Sequence, residues 1–115
     1  MTRTPINRED DGELLGFINK SPGGWTAETI FGYVFARSEQ RQAAEEAVRS
    51  QGLNVLQGVW QYYDKKDKAW YPCILQHVYE NRVVVIRTNE MGYQNPDSYK
   101  RSTITNPTET TLVKS

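Results

Sequence analysis

The segment Gly58-Val59-Trp60-Gln61-Tyr62-Tyr63-Asp64-Lys65-Lys66-Asp67-Lys68-Ala69-Trp70-Tyr71-Pro72-Cys73 decides the fold. Two aromatic-rich arms flank a run of charged residues, the pattern of two strands joined at a solvated tip. Aromatic and β-branched residues suit a pleated, half-buried surface, and lysines at a tip discourage edge-to-edge pairing. Residues two apart share a face, so Trp60 and Tyr62 point together. A symmetric turn at Asp64 to Lys68 then places Trp70 near them across the strand pair.

Downstream, Val55 to Tyr63, Ala69 to Tyr79 and Arg82 to Thr88 read as three consecutive strands. Glu80-Asn81 has the two-residue length that hairpins prefer. Asn89 to Ser98 carries Gly92, Asn95, Pro96 and Asp97 and reads as a loop. Tyr99 to Thr105 and Thr110 to Val113 supply one or two short final strands. Upstream lies a helix. Ser38 is placed to cap its first turn, Ala43, Ala44, Ala47 and Val48 recur at helical spacing, and Gly52 suits a left-handed C-terminal cap. Glu45 and Arg49 form an i,i+4 pair. Before the helix, Trp25 to Ala36 reads as one strand that is apolar on both sides, which calls for cover on both faces. Glu13 to Ile18 is a first strand and Asn19 to Gly24 a loop.

The expected architecture is α+β: a strongly bent antiparallel sheet or small SH3-like barrel with one α-helix. The order is ββαβββ plus one or two short C-terminal strands. The chain of 115 residues is the size of a single domain. Within it, 1–11 is a flexible arm, 12–52 a strand-strand-helix part and 53–115 an SH3-like, strand-rich part.

Composition narrows the function classes. Hydrophobic residues make up 37% of the chain, low for a core, but 3 Trp, 7 Tyr and 3 Phe supply large buried area. Lys and Arg number 14, as do Asp and Glu, so the formal net charge is +0. A general nucleic-acid binder needs a cationic surplus, so only a local basic patch remains open. The lone Cys73 rules out an internal disulfide. The opening residues are polar and charged, so no secretory signal is expected, and no apolar run approaches membrane-spanning length. A cytoplasmic location without membrane contact is the expectation.

Two resemblances attach to particular residues. Gly58-Val59-Trp60, Tyr62-Tyr63-Asp64 and Asp67-Lys68-Ala69-Trp70-Tyr71-Pro72-Cys73, followed by Val83-Val84-Val85, resemble the opening of a Tudor- or Agenet-like SH3-type barrel. The resemblance implies a small binding module in the second half of the chain. It departs at Thr88-Asn89-Glu90-Met91-Gly92, where those domains carry an acidic Asp-Tyr-Gly turn. The whole chain is similar to small uncharacterised bacterial proteins of the actinobacterial type. The similarity runs through Arg8-Glu9-Asp10-Asp11-Gly12-Glu13-Leu14-Leu15-Gly16-Phe17, Thr29-Ile30-Phe31-Gly32, Ala44-Glu45 and Gly52-Leu53. That resemblance implies no activity.

Four groups of residues bear on chemistry. Cys73 and His77 are a possible nucleophile and base, but a dyad needs contact at about 3 Å. On a strand, residues four apart stand ~13 Å apart. Glu9, Asp10, Asp11 and Glu13 are carboxylates that could ligate a hard cation, but the calcium-loop spacing is absent and they read as a solvated turn before the first strand. Trp60, Tyr62, Trp70 and Tyr71 either form the core of a polar sheet or a surface for cations, peptides or bases. Lys65, Lys66 and Lys68, with Lys100 and Arg101 further on, are either a solvated tip or a phosphate contact. No phosphate-binding loop, dinucleotide motif, nucleophile elbow or zinc pattern occurs. The sequence therefore points to a non-catalytic module without metal or cofactor, which binds a peptide or protein through Trp60, Tyr62, Trp70 and Tyr71. The alternative is nucleic-acid binding through Lys65, Lys66, Lys68 and Arg101.

Overall fold

The structure, a computed structural model, describes residues 3–93 and 100–115. The chain divides into two compact units at the Leu56–Gln57 junction. Among the described residues each unit has its own antiparallel sheet, and the first also carries the α-helix. The α+β class expected from the sequence is present. The single bent sheet or closed barrel is not: among the described residues there are two sheets.

The first unit is a four-stranded meander, β1 (Arg3–Asn7), β2 (Leu14–Ser21), β3 (Gly24–Glu28) and β4 (Val34–Ser38), followed by α1 (Arg41–Gln51). Three sequence expectations need correction here. Arg3–Asn7 is not part of an arm but an edge strand paired to β2, with Ile6 buried. The loop at Asn19 to Gly24 shrinks to Pro22-Gly23, because Ser21 already pairs with Gly24. The long strand from Trp25 to Ala36 is a hairpin. Thr29 N–H donates to the Tyr33 carbonyl at 2.9 Å, and Thr29 Oγ1 accepts from Tyr33 N–H at 3.1 Å. Gly32, at φ 89°, takes the left-handed position that closes the turn. The apolar residues that suggested a doubly covered strand therefore belong to two strands and their connection.

The helix starts two residues later than a Ser38 cap requires. Ser38 ends β4, its Oγ accepts from Gln40 N–H at 3.2 Å, and the N-cap Gln40 makes no side-chain cap bond. Ala44 and Val48 face the sheet, whereas Ala43 points to solvent. Gly52 is right-handed helical (φ −53°, ψ −41°), not left-handed. Its role is close approach: a Cβ there would meet the Leu15 and Val48 carbonyl oxygens at 2.5 and 2.6 Å. The chain continues instead into a 3-10 turn at Asn54–Leu56. Arg41 and Arg49 both reach Glu45, at 3.0 and 3.9 Å, surface pairs that add little stability.

Small residues set the packing distance. Ile18, Ala27 and Ala36 lie in one row across β2, β3 and β4, and Ile6, Leu15, Ala44 and Val48 close the cluster over them. Gly16 is the tightest point, since a Cβ there would stand 2.2 Å from the Glu28 carbonyl oxygen and 3.0 Å from Val48 Cγ1. On the opposite face of β3 the buried Glu28 carboxylate takes Thr26 Oγ1 at 3.1 Å and Arg3 at 3.6 Å, and Arg3 covers the Phe17 ring at 3.9 Å. A buried carboxylate persists only with such partners.

The second unit is a five-stranded sheet of order β9-β5-β6-β7-β8: β5 (Trp60–Asp64), β6 (Ala69–Val78), β7 (Arg82–Arg87), β8 (Arg101–Thr105) and β9 (Leu112–Lys114). The strand expected from Val55 begins only at Trp60, because Asn54–Leu56 is helical and Gly58 has φ 84°. Trp60, Tyr62, Cys73, Leu112 and all of Val83 to Ile86 are buried. After β7, Asn89 Oδ1 accepts from the N–H groups of Met91 and Tyr93 and folds a turn. The rest of the expected loop, with Tyr99, lies outside the described residues. Among the described residues no helix is long and apolar enough to cross a membrane.

Replacing Gly16 tests the packing of the first unit. Gly16→Ala should destabilise it by on the order of 2–3 kcal/mol, since neither the Glu28 backbone nor Val48 has room to move away. Urea unfolding followed by circular dichroism reads this. A midpoint unchanged from wild type contradicts the packing.

Candidate functional site

Register sorts the aromatic residues of the β5–β6 hairpin. Trp60 stands opposite Cys73, Tyr62 opposite Tyr71, Tyr63 opposite Trp70 and Asp64 opposite Ala69. Directly opposed residues share a face. Trp60, Tyr62 and Tyr71 therefore lie on one side of the sheet, and Tyr63 and Trp70 on the other. This corrects the expected grouping of Trp70 with Trp60 and Tyr62. The turn is symmetric as expected, but residue 70 has the parity of 63, not of 60 or 62.

The first face is core at one end and a polar cluster at the other. Trp60 is 0% exposed and Tyr62 2%, so neither ring offers a surface to a partner. The Lys114 ammonium lies 5.5 Å from the Trp60 ring centre. Beyond them sits Arg87, opposite Cys73 at the end of β7. Its guanidinium lies 3.6 Å from the Tyr71 ring centre, and its Nε donates to Tyr62 Oη at 2.8 Å. Its Nη2 donates to Asp64 Oδ2 at 3.0 Å. Tyr71 Oη donates to Asp67 Oδ2 at 2.8 Å, and Lys100 Nζ reaches Asp64 Oδ2 at 3.3 Å. A cation over an aromatic ring contributes roughly 0.5–2 kcal/mol, more as water is excluded. The cleft an external cation would use is thus filled by the chain's own guanidinium.

Asp64 holds this cluster and the tip together. Its Oδ1 accepts the N–H groups of Lys66 and Asp67 at 2.8 and 3.2 Å, closing the turn. The Asp67 N–H first, then the Lys66 N–H and the Lys100 ammonium, hold the carboxyl below its ordinary 3.8 against an opposing desolvation. The hydrogen bond to Asp67 and partial burial push the Tyr71 phenol up. Burial works against the charge on Arg87, but the Tyr62 hydrogen bond and the surrounding oxygens outweigh it, so the guanidinium is held charged.

The second face is buried at Val84 and Ile86 on β7 and exposed at Trp70. Trp70 is 43% exposed and meets Tyr63 edge-on, with ring centres 5.6 Å apart at 63°. Lys65, Lys66 and Lys68 are exposed at the adjoining tip. Arg101 stands opposite Ile86 on β8, on Trp70's face. It lies two strands away and four residues along, roughly 13 Å by about 10 Å. The three lysines thus adjoin Trp70 along the chain, and Arg101 stands apart.

The remaining candidates fall elsewhere. Cys73 is fully buried, and desolvation pushes its thiol up to about 12, so the thiolate needed for nucleophilic work does not form near neutrality. His77 is exposed beyond a bulge in β6, its ring 6.5 Å from that of Tyr79. In the first unit, Asp11 and Glu13 both pair with Arg8, and Asp11 Oδ1 accepts Glu13 N–H, which holds the Asp11 carboxyl low. Among the described residues no group of three or more His, Cys, Asp or Glu is placed to hold a metal. A groove of about 570 Å³ beside the helix mixes Arg8, Glu9, Glu46 and Arg49 with Leu15 and Leu53. Its charges carry both signs and do not converge on one point.

Arg87 is the residue that sequence reasoning missed. Its signal was present: a charged residue ends the run Val83-Val84-Val85-Ile86 instead of a turn former. Only the three-strand register shows that it meets Tyr62, Tyr71 and Asp64. Comparison of the chain with protein-family models, curated proteins and solved structures finds no match.

The cluster has a pH signature. A carboxyl whose folded pKa lies below its unfolded 3.8 stabilises fully above 3.8 and loses its contribution as pH falls from there through the folded value. Asp64→Asn should lower the urea midpoint at pH 7, and the gap to wild type should close as pH drops below 3.8. A gap of the same size at pH 3 and pH 7 contradicts the assignment.

Proposed function

We propose that the second unit is a non-catalytic binding module for a peptide or protein partner, with Trp70 as its anchor. The carrying observation is the exposed Trp70 ring, braced edge-on by Tyr63 beside a rigid, hydrogen-bonded tip. A large ring left 43% exposed near the start of β6 retains apolar area for a partner to cover, and its stiffness lowers the entropy lost on docking. Tryptophan is among the residues that most often dominate binding energy.

The resemblance of Gly58 to Cys73 to the opening of SH3-type modules supports the same reading, with one amendment. The ligand face is that of Tyr63 and Trp70, and Trp60, Tyr62 and Tyr71 form the support behind it. Cys73, deep in the sheet and inert, is compatible with catalysis playing no part and with a reducing, cytoplasmic setting. Nucleic-acid binding through the lysines is the second reading, favoured by their placement next to a ring on which a base could stack.

Trp70→Ala tests the proposal. The position is exposed, so the variant should keep its circular dichroism spectrum and unfold within about 0.5–1 kcal/mol of wild type. Peptides selected by the wild-type chain from a displayed random library should bind the variant at least tenfold more weakly. Equal binding by both chains, or outright unfolding of the variant, overturns it.

A further inference from the structure

We infer that the partner segment is acidic, an inference that rests on Trp70 being the anchor of a peptide-binding face. By sequence the tip Asp64-Lys65-Lys66-Asp67-Lys68 is nearly balanced in charge. The fold separates those charges. Asp64 Oδ1 is taken by two backbone N–H groups and its Oδ2 by Arg87 and Lys100. Asp67 Oδ2 accepts from Tyr71 Oη and lies 4.0 Å from Arg87 Nη2. Both carboxylates are thus engaged by the cluster on the Tyr71 face. Among the described residues, Lys65, Lys66 and Lys68 make no ion pair, and all three are exposed.

The tip that leads into Trp70 therefore offers exposed ammonium groups while its carboxylates are engaged, although its formal charge is close to neutral. Three ammonium groups on four consecutive positions lie within about one Debye length of one another, so a ligand meets their summed field. A carboxylate-bearing peptide gains from this twice, through faster encounter and through pairing at the rim of the Trp70 contact. A nucleic-acid strand gains less. Three contacts give a salt slope of only about −2 for a single strand, and the next candidate cation, Arg101, stands two strands away. The proposed ligand is an extended peptide with an apolar or aromatic residue for Trp70 and two or more Asp or Glu residues for the lysines.

Selection from a displayed random-peptide library on two baits tests this: the wild-type chain and the triple variant Lys65→Glu, Lys66→Glu, Lys68→Glu. Circular dichroism confirms that both are folded, and the triple Lys→Gln variant replaces the Glu variant should that one not fold. Wild type should enrich peptides rich in Asp and Glu, and those peptides should bind the charge-altered variant at least tenfold more weakly. The Glu variant should enrich basic peptides instead. Peptides with no acidic bias, or acidic peptides that bind both chains equally, overturn the inference while leaving the Trp70 module standing. No enrichment by either chain, or enriched peptides that ignore Trp70→Ala, removes the module itself. Tighter binding of a twelve-residue oligothymidylate than of any selected peptide overturns the inference in favour of nucleic acid.

Discussion

Asp64 ties three things at once: it closes the β5–β6 turn through two backbone N–H groups, anchors Arg87 and receives Lys100. The turn it closes sets the register of the hairpin. Register is decisive because a slip of one residue would exchange the two faces of a strand. With Asp64 opposite Ala69, Tyr62 meets Tyr71 and Tyr63 meets Trp70. A hairpin shifted by one position would turn the Trp70 ring toward the core or drive Trp60 out of it.

Arg87 explains why an aromatic-rich sheet need not be an open cation receptor. Tyr62 supplies a hydroxyl acceptor, Tyr71 a ring face and Asp64 a carboxylate, and together they match the planar guanidinium. This internal pairing has a consequence for the rest of the tip. It consumes the negative charge of the tip and leaves the lysines without anionic partners in the described structure. Which charges of the tip are paired is thus a product of folding, not of composition. The same carboxylate that fixes the geometry also shapes the electrostatics of the face where Trp70 is exposed.

Much of the fold was legible in the sequence. The α-helix, the charged tip and the three strands β5, β6 and β7 follow from periodicity and turn chemistry, and their positions agree within a few residues. The errors have physical causes. Trp25 to Ala36 looked like one strand because the turn residues around Gly32 are themselves apolar or aromatic, namely Ile30, Phe31 and Tyr33. Arg3–Asn7 looked like an arm because an edge strand needs only one buried residue, Ile6. Gly52 looked like a helix stop, whereas its missing Cβ serves close contact with Leu15. The candidate site was legible in its residue types but not in its sides. Counting by two along each strand is simple, but the parity between strands depends on the turn. A five-residue offset from Asp64 to Ala69 pairs 63 with 70, and no local propensity announces that number.

Acrylamide quenching of tryptophan fluorescence in two single-tryptophan variants tests the two-faced hairpin most directly. One variant keeps Trp60 and the other keeps Trp70, with the remaining tryptophans changed to phenylalanine. The structure requires the Trp70 emission to be red-shifted and quenched several-fold more strongly than that of Trp60, which has no exposed surface. Equal quenching of the two, or stronger quenching of Trp60, would contradict the register on which the sidedness of this sheet depends.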